Sequence, residues 1–517
     1  MAEMLWSGWG DPAEATTLPP AIVELLREGL GVTHEGTPVP AIDQIVLPES
    51  RLVDTTLDQI AEIDRSTEAR IRHTRGKSTP DLLRLRESDF ASAPDAVARP
   101  NDHEEVQALL EACSANRIAV VPYGGGTSVV GGLEPDAHEH TALLALDLAH
   151  LNALTDLDET SRLATLQPGL TGPDGEWLLN ERGYTLGHFP QSFEYATVGG
   201  FAAARSSGQA SAGYGRFDER VVKLKVATPR GTVQLGRAPK SAAGPDLRQL
   251  FLGSEGAFGV ITEVTVEVRP LPDTRLYEGW RFASFENGAD TLRKLIQDGP
   301  VPTVLRLSDD AETALNLARP SEIGTGSGSG CLAIVGYEGT ESDVAERRAA
   351  VTAILETAGA EHDETAGETW ARGRYRAPYL RDALLDAGAL VETLETATFW
   401  SNLHNLYAAV GDALRASLGT AVVLCHISHV YRSGASLYFT VAAAQNDDPV
   451  AQWAEAKRAA SDAIVDNGGE ITHHHGIGID HREHYAREVG PLAIEVLQAV
   501  KRSFDPNQIM NPGVLIR

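Results

Sequence analysis

The apolar run Ile118-Ala119-Val120-Val121 ends in Pro122-Tyr123 and opens at once into Gly124-Gly125-Gly126-Thr127-Ser128. No other stretch restricts the fold as much. A strand that stops at proline and continues as three glycines presents bare backbone N–H groups, because glycine takes positive φ and has no Cβ to hold an anion away. We read it as a pyrophosphate cradle. It lacks both the Gly-Lys-Ser/Thr ending of a nucleotide-hydrolase P-loop and the GxGxxG spacing of a dinucleotide fingerprint. Taken alone, the stretch also reads as an ordinary glycine-rich turn.

The surroundings favour the cradle. Residues 94–100 read as a short strand between prolines, and Asn101-Asp102 supplies an N-cap for an amphipathic helix over 104–116. Strand, helix, strand and glycine loop make a βαβ unit. An earlier helix is expected over 20–28. Further strands are expected at 143–148 and 161–168, then a Gly-Pro-Asp-Gly turn at 172–175 leading into a helix over 177–182. Residues 221–228 and 231–235 form a hairpin about Pro229-Arg230, and 262–268 alternate as a strand. A domain boundary falls near Pro272. Beyond it, strands at 277–282, 331–337 and 436–442 mix with helices at 342–358, 381–387 and 398–417, and the Gly-Ser run 324–330 reads as a surface loop. A helix over 451–466 leads to His473-His474-His475-Gly476.

Composition narrows the function. With 72 acidic against 44 basic residues the formal charge is -28, which argues against nucleic-acid binding and against docking on an anionic membrane. An anionic substrate needs a local basic pocket. Three cysteines, with no CxxC, suit a reduced compartment and exclude a cysteine-built metal site. No apolar run reaches membrane-span length and no leader pattern opens the chain, so a cytoplasmic location is expected.

Five stretches together resemble the flavoenzymes of the vanillyl-alcohol oxidase and p-cresol methylhydroxylase superfamily, and among them the alkyl-dihydroxyacetonephosphate synthases. They are Trp6-Ser7-Gly8-Trp9-Gly10, residues 123–129, residues 187–200, Gly253-Ser254-Glu255-Gly256 through Glu263, and the triple histidine with Gly476. The resemblance implies an α+β fold: a two-part FAD-binding domain of the p-cresol methylhydroxylase type, an α+β cap, and a C-terminal segment returning to the flavin. The expected divisions are 1–89 (N-terminal region), 90–272 (FAD binding), 273–447 (cap, substrate) and 448–517 (completion of the active site). FAD contacts are implied for Pro122, Tyr123, Gly124, Gly125, Gly126, Thr127 and Ser128 at the pyrophosphate. Gln191, Ser192, Thr197, Gly200, Ala204, Ser206 and Ser207 would meet the flavin and its ribityl chain, and Glu255, Gly259, Val260 and Ile261 the adenine half. Relatives that attach FAD covalently often use a histidine in the loop matching 124–128. None stands there, so noncovalent FAD is expected.

In the synthases, flavin N5 bonds to a ketone substrate while an acyl chain leaves and a fatty alcohol replaces it. The matching tyrosine is Tyr438, assigned to proton transfer. A phenol with an ordinary pKa of about 10 is a poor base at neutral pH, so this role calls for cationic or hydrogen-bonding neighbours, with His474, His475 and Arg381 as candidates. His188 is a further catalytic candidate. Arg381 matches the family's substrate-phosphate arginine and Arg306 a second arginine tied to activity; His473 and His429 complete the substrate set. In an extended segment His473 and His475 share one side and His474 the other, so the three cannot then serve one site. No metal is expected. The substrate is expected to be small and anionic, with room for an acyl or alkyl lipid chain, and the assembly a homodimer. The alternatives are a metal-free FAD-dependent D-2-hydroxyacid dehydrogenase or oxidase, and a noncatalytic flavin-binding protein. Metal-dependent members of the former carry His-x-Gly-Asp-Gly-Asn-x-His, where this chain has Tyr431 and Tyr438 in the histidine positions.

Overall fold

A computed structural model describes residues 3–53, 56–315 and 330–517. Apart from Gly330, the Gly-Ser run expected as a loop lies outside the described residues.

The first sheet contains β1 (Glu62–Asp64), β2 (Ala96–Arg99), β3 (Ile118–Tyr123) and β4 (Ala142–Asp147) in the order β1-β2-β4-β3, with β2 and β3 both parallel to β4. Every residue of β4 is buried, as a central parallel strand covered on both faces demands. Asp102 caps the helix His103–Asn116 by accepting from the Glu105 N–H, so the βαβ unit is present with β4 between its two strands. The chain end returns to this sheet. Val120 donates to the Ile509 carbonyl and accepts from the Asn511 N–H, both at 2.8 Å. Residues 509–511 thus run along the strand that feeds the glycine loop.

The second sheet is antiparallel, β5-β6-β10-β8-β9, from β5 (Leu154–Asp158), β6 (Leu163–Leu166), β8 (Val221–Thr228), β9 (Gly231–Leu235) and β10 (Val260–Glu267). The expected hairpin closes with Thr228 opposite Gly231. The short strands β7 (Tyr184–Thr185) and β11 (Arg269–Pro270) pair with each other. The expected turn at 172–175 is instead the first turn of the helix Gly172–Asn180. Thr171 caps it by accepting from the Asp174 N–H, and Pro173 sits where a missing donor costs nothing.

The third sheet has seven antiparallel strands: β12 (Thr274–Phe282), β13 (Val304–Ser308), β14 (Cys331–Gly339), β15 (Glu361–Asp363), β16 (Ala389–Phe399), β17 (Ala421–Val430) and β18 (Gly434–Ala444). Their order is β15-β12-β14-β13-β17-β18-β16. The helix expected over 398–417 begins only at Leu403, because β16 runs on to Phe399. An apolar core shared by Leu166, Phe201 and Phe258 with Trp280, Leu307 and Phe439 joins the second and third sheets.

Candidate active site

A cavity of about 1080 Å³ lies between the glycine loop and the third sheet. Every residue expected to hold the cofactor, from Pro122 through Ile261, lines it. Among the described residues, none of the backbone N–H groups of Gly124 through Val129 donates to a protein acceptor. Gln191 Nε2 is likewise buried without a partner. Gly126 takes φ +66, and a Cβ on Gly125 would stand 1.9 Å from the Tyr195 carbonyl, so the loop lies flat against residues 195–197. Unused donors on a side-chain-free ribbon are what a pyrophosphate requires.

The opposite wall is set by strand register. Ser308 on β13 pairs with His426 on β17, His426 with Tyr438 on β18, and Tyr438 with Glu395 on β16. Directly opposed residues share a sheet face, so four polar side chains form one row across four strands. The His426 ring stacks on Tyr438 at 5.0 Å and 17°. Its Nδ1 is 2.8 Å from Glu312, whose other oxygen holds Arg306 Nη2 at 2.8 Å. Burial pushes the Glu312 carboxyl up, but its pairing with His426 and Arg306 and the Ser308 hydroxyl outweigh this and hold it at about 2, while burial and the Arg306 charge pull the His426 imidazole down.

The histidine segment is not extended. It folds around two carboxylates, one of them, Glu395, fully buried. Glu395 accepts from the Thr472 hydroxyl at 2.6 Å and from the N–H groups of His473, His474 and His475 at 2.7, 3.1 and 3.0 Å. Glu255, from the FAD side, accepts from Ile477 at 2.9 Å and Gly478 at 3.0 Å. This wrapped turn brings His474 (6.0 Å, 21°) and His475 (5.6 Å, 85°) against the Tyr438 ring. The restriction drawn for a regular strand therefore does not apply. His473 does not line the cavity; its Nε2 meets the Tyr431 hydroxyl at 2.7 Å. Glu395 is lifted by burial, yet the charges available to His474, His475 and His473 and the Thr472 hydroxyl hold it well below the usual carboxylate range.

Of the cationic or hydrogen-bonding neighbours expected for Tyr438, His474 and His475 are present but uncharged. Burial pulls His474 down and His475 down to about 3, so both rings are neutral at neutral pH. Burial pushes the Tyr438 phenol up to about 12; a hydrogen bond with Thr393 opposes this, and Glu392, Glu395 and Glu312 add to it. Tyr438 is thus a neutral phenol facing neutral imidazoles. Arg381 is also committed elsewhere: Nε and Nη2 hold Asp382 at 3.0 and 2.8 Å, and Nη1 donates to the Lys77 carbonyl. His188 is removed from the site. It does not line the cavity, packs on Phe201 and Phe217, and pairs with Ser206 at 3.0 Å; burial takes it well below the usual imidazole range. The reason is its aromatic surroundings, which short-range sequence pattern does not reveal.

His429 lines the cavity and hydrogen-bonds Ser211 through Nδ1 at 2.8 Å. One ring nitrogen each of His429, His473 and His474 lies within 4.8 Å of the others, the one place among the described residues where three such ligands meet. The Nδ1 atoms of His473 and His474 are already 3.0 Å apart, the distance of a hydrogen bond between two neutral rings.

Comparison with known proteins decides the family. The family described as "FAD binding domain" matches residues 94–236, and "FAD linked oxidases, C-terminal domain" matches residues 271–515. Alkyldihydroxyacetonephosphate synthase of Dictyostelium discoideum is 35% identical over 87% of this chain and 77% of its own length. The Trypanosoma brucei brucei synthase is 31% identical over 99% of this chain and 92% of its own. The chain belongs to the FAD-linked oxidase family. This FAD enzyme is homologous to the alkyldihydroxyacetonephosphate synthases. A solved synthase structure superposes with a TM-score of 0.83 at 30% identity, covering 99% of this chain and 98% of that one. p-Cresol methylhydroxylase shares the fold, at a TM-score of 0.71 and 16% identity over 89% of this chain and 95% of its own. FAD is the cofactor whose pyrophosphate the glycine loop fits. The sequence reading missed Glu312 with His426, Glu395, and the second use of Glu255. His426 and Ser428 alternate with buried residues along β17, the signal by which the first could have been found.

Proposed function

We propose that the enzyme exchanges the acyl chain of a ketone phosphate ester for a long-chain alcohol, in the manner of the synthases it resembles. The observation that carries this is the two-natured cavity. From the polar row it continues over Ile22, Leu25, Leu26 and Leu30 of the helix Pro20–Leu30, and over Leu384, Val422 and Leu424. Aliphatic walls of this extent serve a hydrocarbon chain and have no use for a two- or three-carbon hydroxy acid.

FAD supplies the electrophilic ring nitrogen at which a ketone carbon is activated. The protein's part is to move a proton beside that carbonyl. The register of Tyr438 between His426 and Glu395 supports it in this role, and its phenolic proton needs somewhere to go. Glu312, accepting from Nδ1–H of His426, leaves Nε2 with a free lone pair at the cavity wall. This carboxylate–imidazole pair is the better resting base, and Tyr438 the relay between it and the substrate. The domain division at about residue 272 fits this reading, the cap carrying the row and the FAD part the cradle.

The test is product formation without redox turnover. Holoenzyme incubated anaerobically with a long-chain acyl ester of dihydroxyacetone phosphate and hexadecanol should release the fatty acid and form the ether, both read by mass spectrometry. Steady hydrogen peroxide release or dye reduction on a D-2-hydroxy acid, with no ether formed, would replace this reading by that of a dehydrogenase.

A further inference from the structure

His429 comes from β17, whereas His473 and His474 come from the turn wound about Glu395. Their ring centroids nevertheless make a nearly equilateral triangle, 5.0 Å from His429 to His473, 5.2 Å from His429 to His474 and 5.2 Å from His473 to His474. One ring nitrogen of each lies within 4.8 Å of the other two. A zinc ion holds imidazole nitrogens at about 2.0–2.1 Å, which puts each ring centre about 3.2 Å from the metal and, at tetrahedral angles, about 5.2 Å from its neighbours. The observed triangle has that size.

Two of the rings have their other nitrogen engaged by hydroxyl groups. His473 Nε2 meets the Tyr431 hydroxyl at 2.7 Å, and His429 Nδ1 meets the hydroxyls of Ser211 at 2.8 Å and Ser207 at 3.2 Å. Outer partners of this kind fix the tautomer and aim the opposite nitrogen at a metal. Hydrogen bonding inside the trio accounts for only two rings: the Nδ1 atoms of His473 and His474 are 3.0 Å apart, and Nε2 of His429 is left over. Charge agrees with geometry. The Glu395 carboxylate, 1% exposed, lies 3.6 Å from His474 Nδ1 and has no lysine or arginine paired to it among the described residues. Arg216, which donates to the His473 carbonyl, is itself held by Asp218 at 3.0 Å.

We propose that His429, His473 and His474 form a binding site for a divalent ion of the zinc type. Three imidazoles without thiolate suit such an ion and not magnesium or calcium, which take oxygen ligands. His429 and His474 line the cavity and His473 stands behind them, so the coordination position left open faces the substrate, where the ion holds and polarises an oxygen atom. The set differs from that of the metal-dependent hydroxyacid enzymes. Their two histidine positions are Tyr431 and Tyr438 here, and Tyr431 serves as an outer partner instead. The expectation of no metal rests on those two positions, not on this trio. The site is independent of the ketone phosphate reading and stands or falls apart from it.

Holoenzyme treated with a chelator and dialysed free of it is titrated with zinc chloride, and separately with cobalt(II) chloride, for wild type, His429→Gln and His474→Gln, with FAD content measured in each. The site predicts one zinc per chain by elemental analysis and an X-ray absorption spectrum with three imidazole nitrogens at about 2.0–2.1 Å. It also predicts four-coordinate cobalt bands at wavelengths beyond the flavin absorption, and an affinity about a hundredfold or more lower in either variant. Absence of stoichiometric uptake by wild type overturns the proposal, as does equal affinity in wild type and His429→Gln. Should the variants not fold or not keep FAD, the wild-type spectrum decides: fewer than three imidazoles, or a six-coordinate oxygen shell, overturns it equally.

Discussion

Tyr438 shows what register does for a single residue. A tyrosine in the middle of a strand is by default a core residue with a satisfied hydroxyl. Here its two cross-strand neighbours are His426 and Glu395, and two further histidines pack on its ring. Under the proposed function, removing the hydroxyl deletes the proton relay and leaves the packing. Tyr438→Phe should therefore retain FAD and its thermal stability while product formation falls by about 10² to 10⁴, the usual range for a lost acid–base group. Activity within a few fold of wild type would remove Tyr438 from proton transfer. The residue was legible from its family-like setting; its protonation was not. Which charges surround a buried phenol depends on strands β13, β16 and β17, none of which stands out in the sequence. In β16 the acids Glu392 and Glu395 are buried, so a polar-outside pattern never forms.

At the scale of the element, the turn over residues 472–478 is held from both sides, by Glu395 of the third sheet and Glu255 of the FAD side. The two carboxylates differ in charge. Glu395 stays ionised, whereas burial lifts Glu255 to about 7, against the N–H groups of Gly478 and Ile477. A carboxyl whose folded pKa is raised binds its proton more tightly when folded, so its contribution to stability is full below the unfolded value of about 4.5 and is lost as pH rises to about 7. Unfolding titrations between pH 4.5 and 7 should show that slope in wild type, and Glu255→Gln should flatten it. An identical slope in the variant would mean that Glu255 is ionised in the folded protein. The glycine loop and its βαβ setting were readable because local propensity and capping agree there with the final fold. The shape of the histidine turn was not legible, because nothing local announces a loop wound about carboxylates from distant segments.

Across the whole molecule, the FAD cradle, the polar row and the aliphatic walls are one continuous space, and the chain end returns to β3. Asn511 ties this return to the site through Nδ2, donating to the Glu255 carbonyl at 2.7 Å and the Gly132 carbonyl at 3.0 Å. Among the described residues, no helix is long and apolar enough to cross a membrane. The aliphatic wall of the cavity begins at the helix Pro20–Leu30. Under the proposed function this space joins flavin chemistry to an amphiphilic ketone phosphate. Flavin absorbance near 450 nm, followed anaerobically in the purified holoenzyme, tests it most directly. A long-chain acyl ester of dihydroxyacetone phosphate should bleach the band within the turnover time, and D-2-hydroxy acids should leave it unchanged. Bleaching by a D-2-hydroxy acid, with the ester inert, would contradict the account.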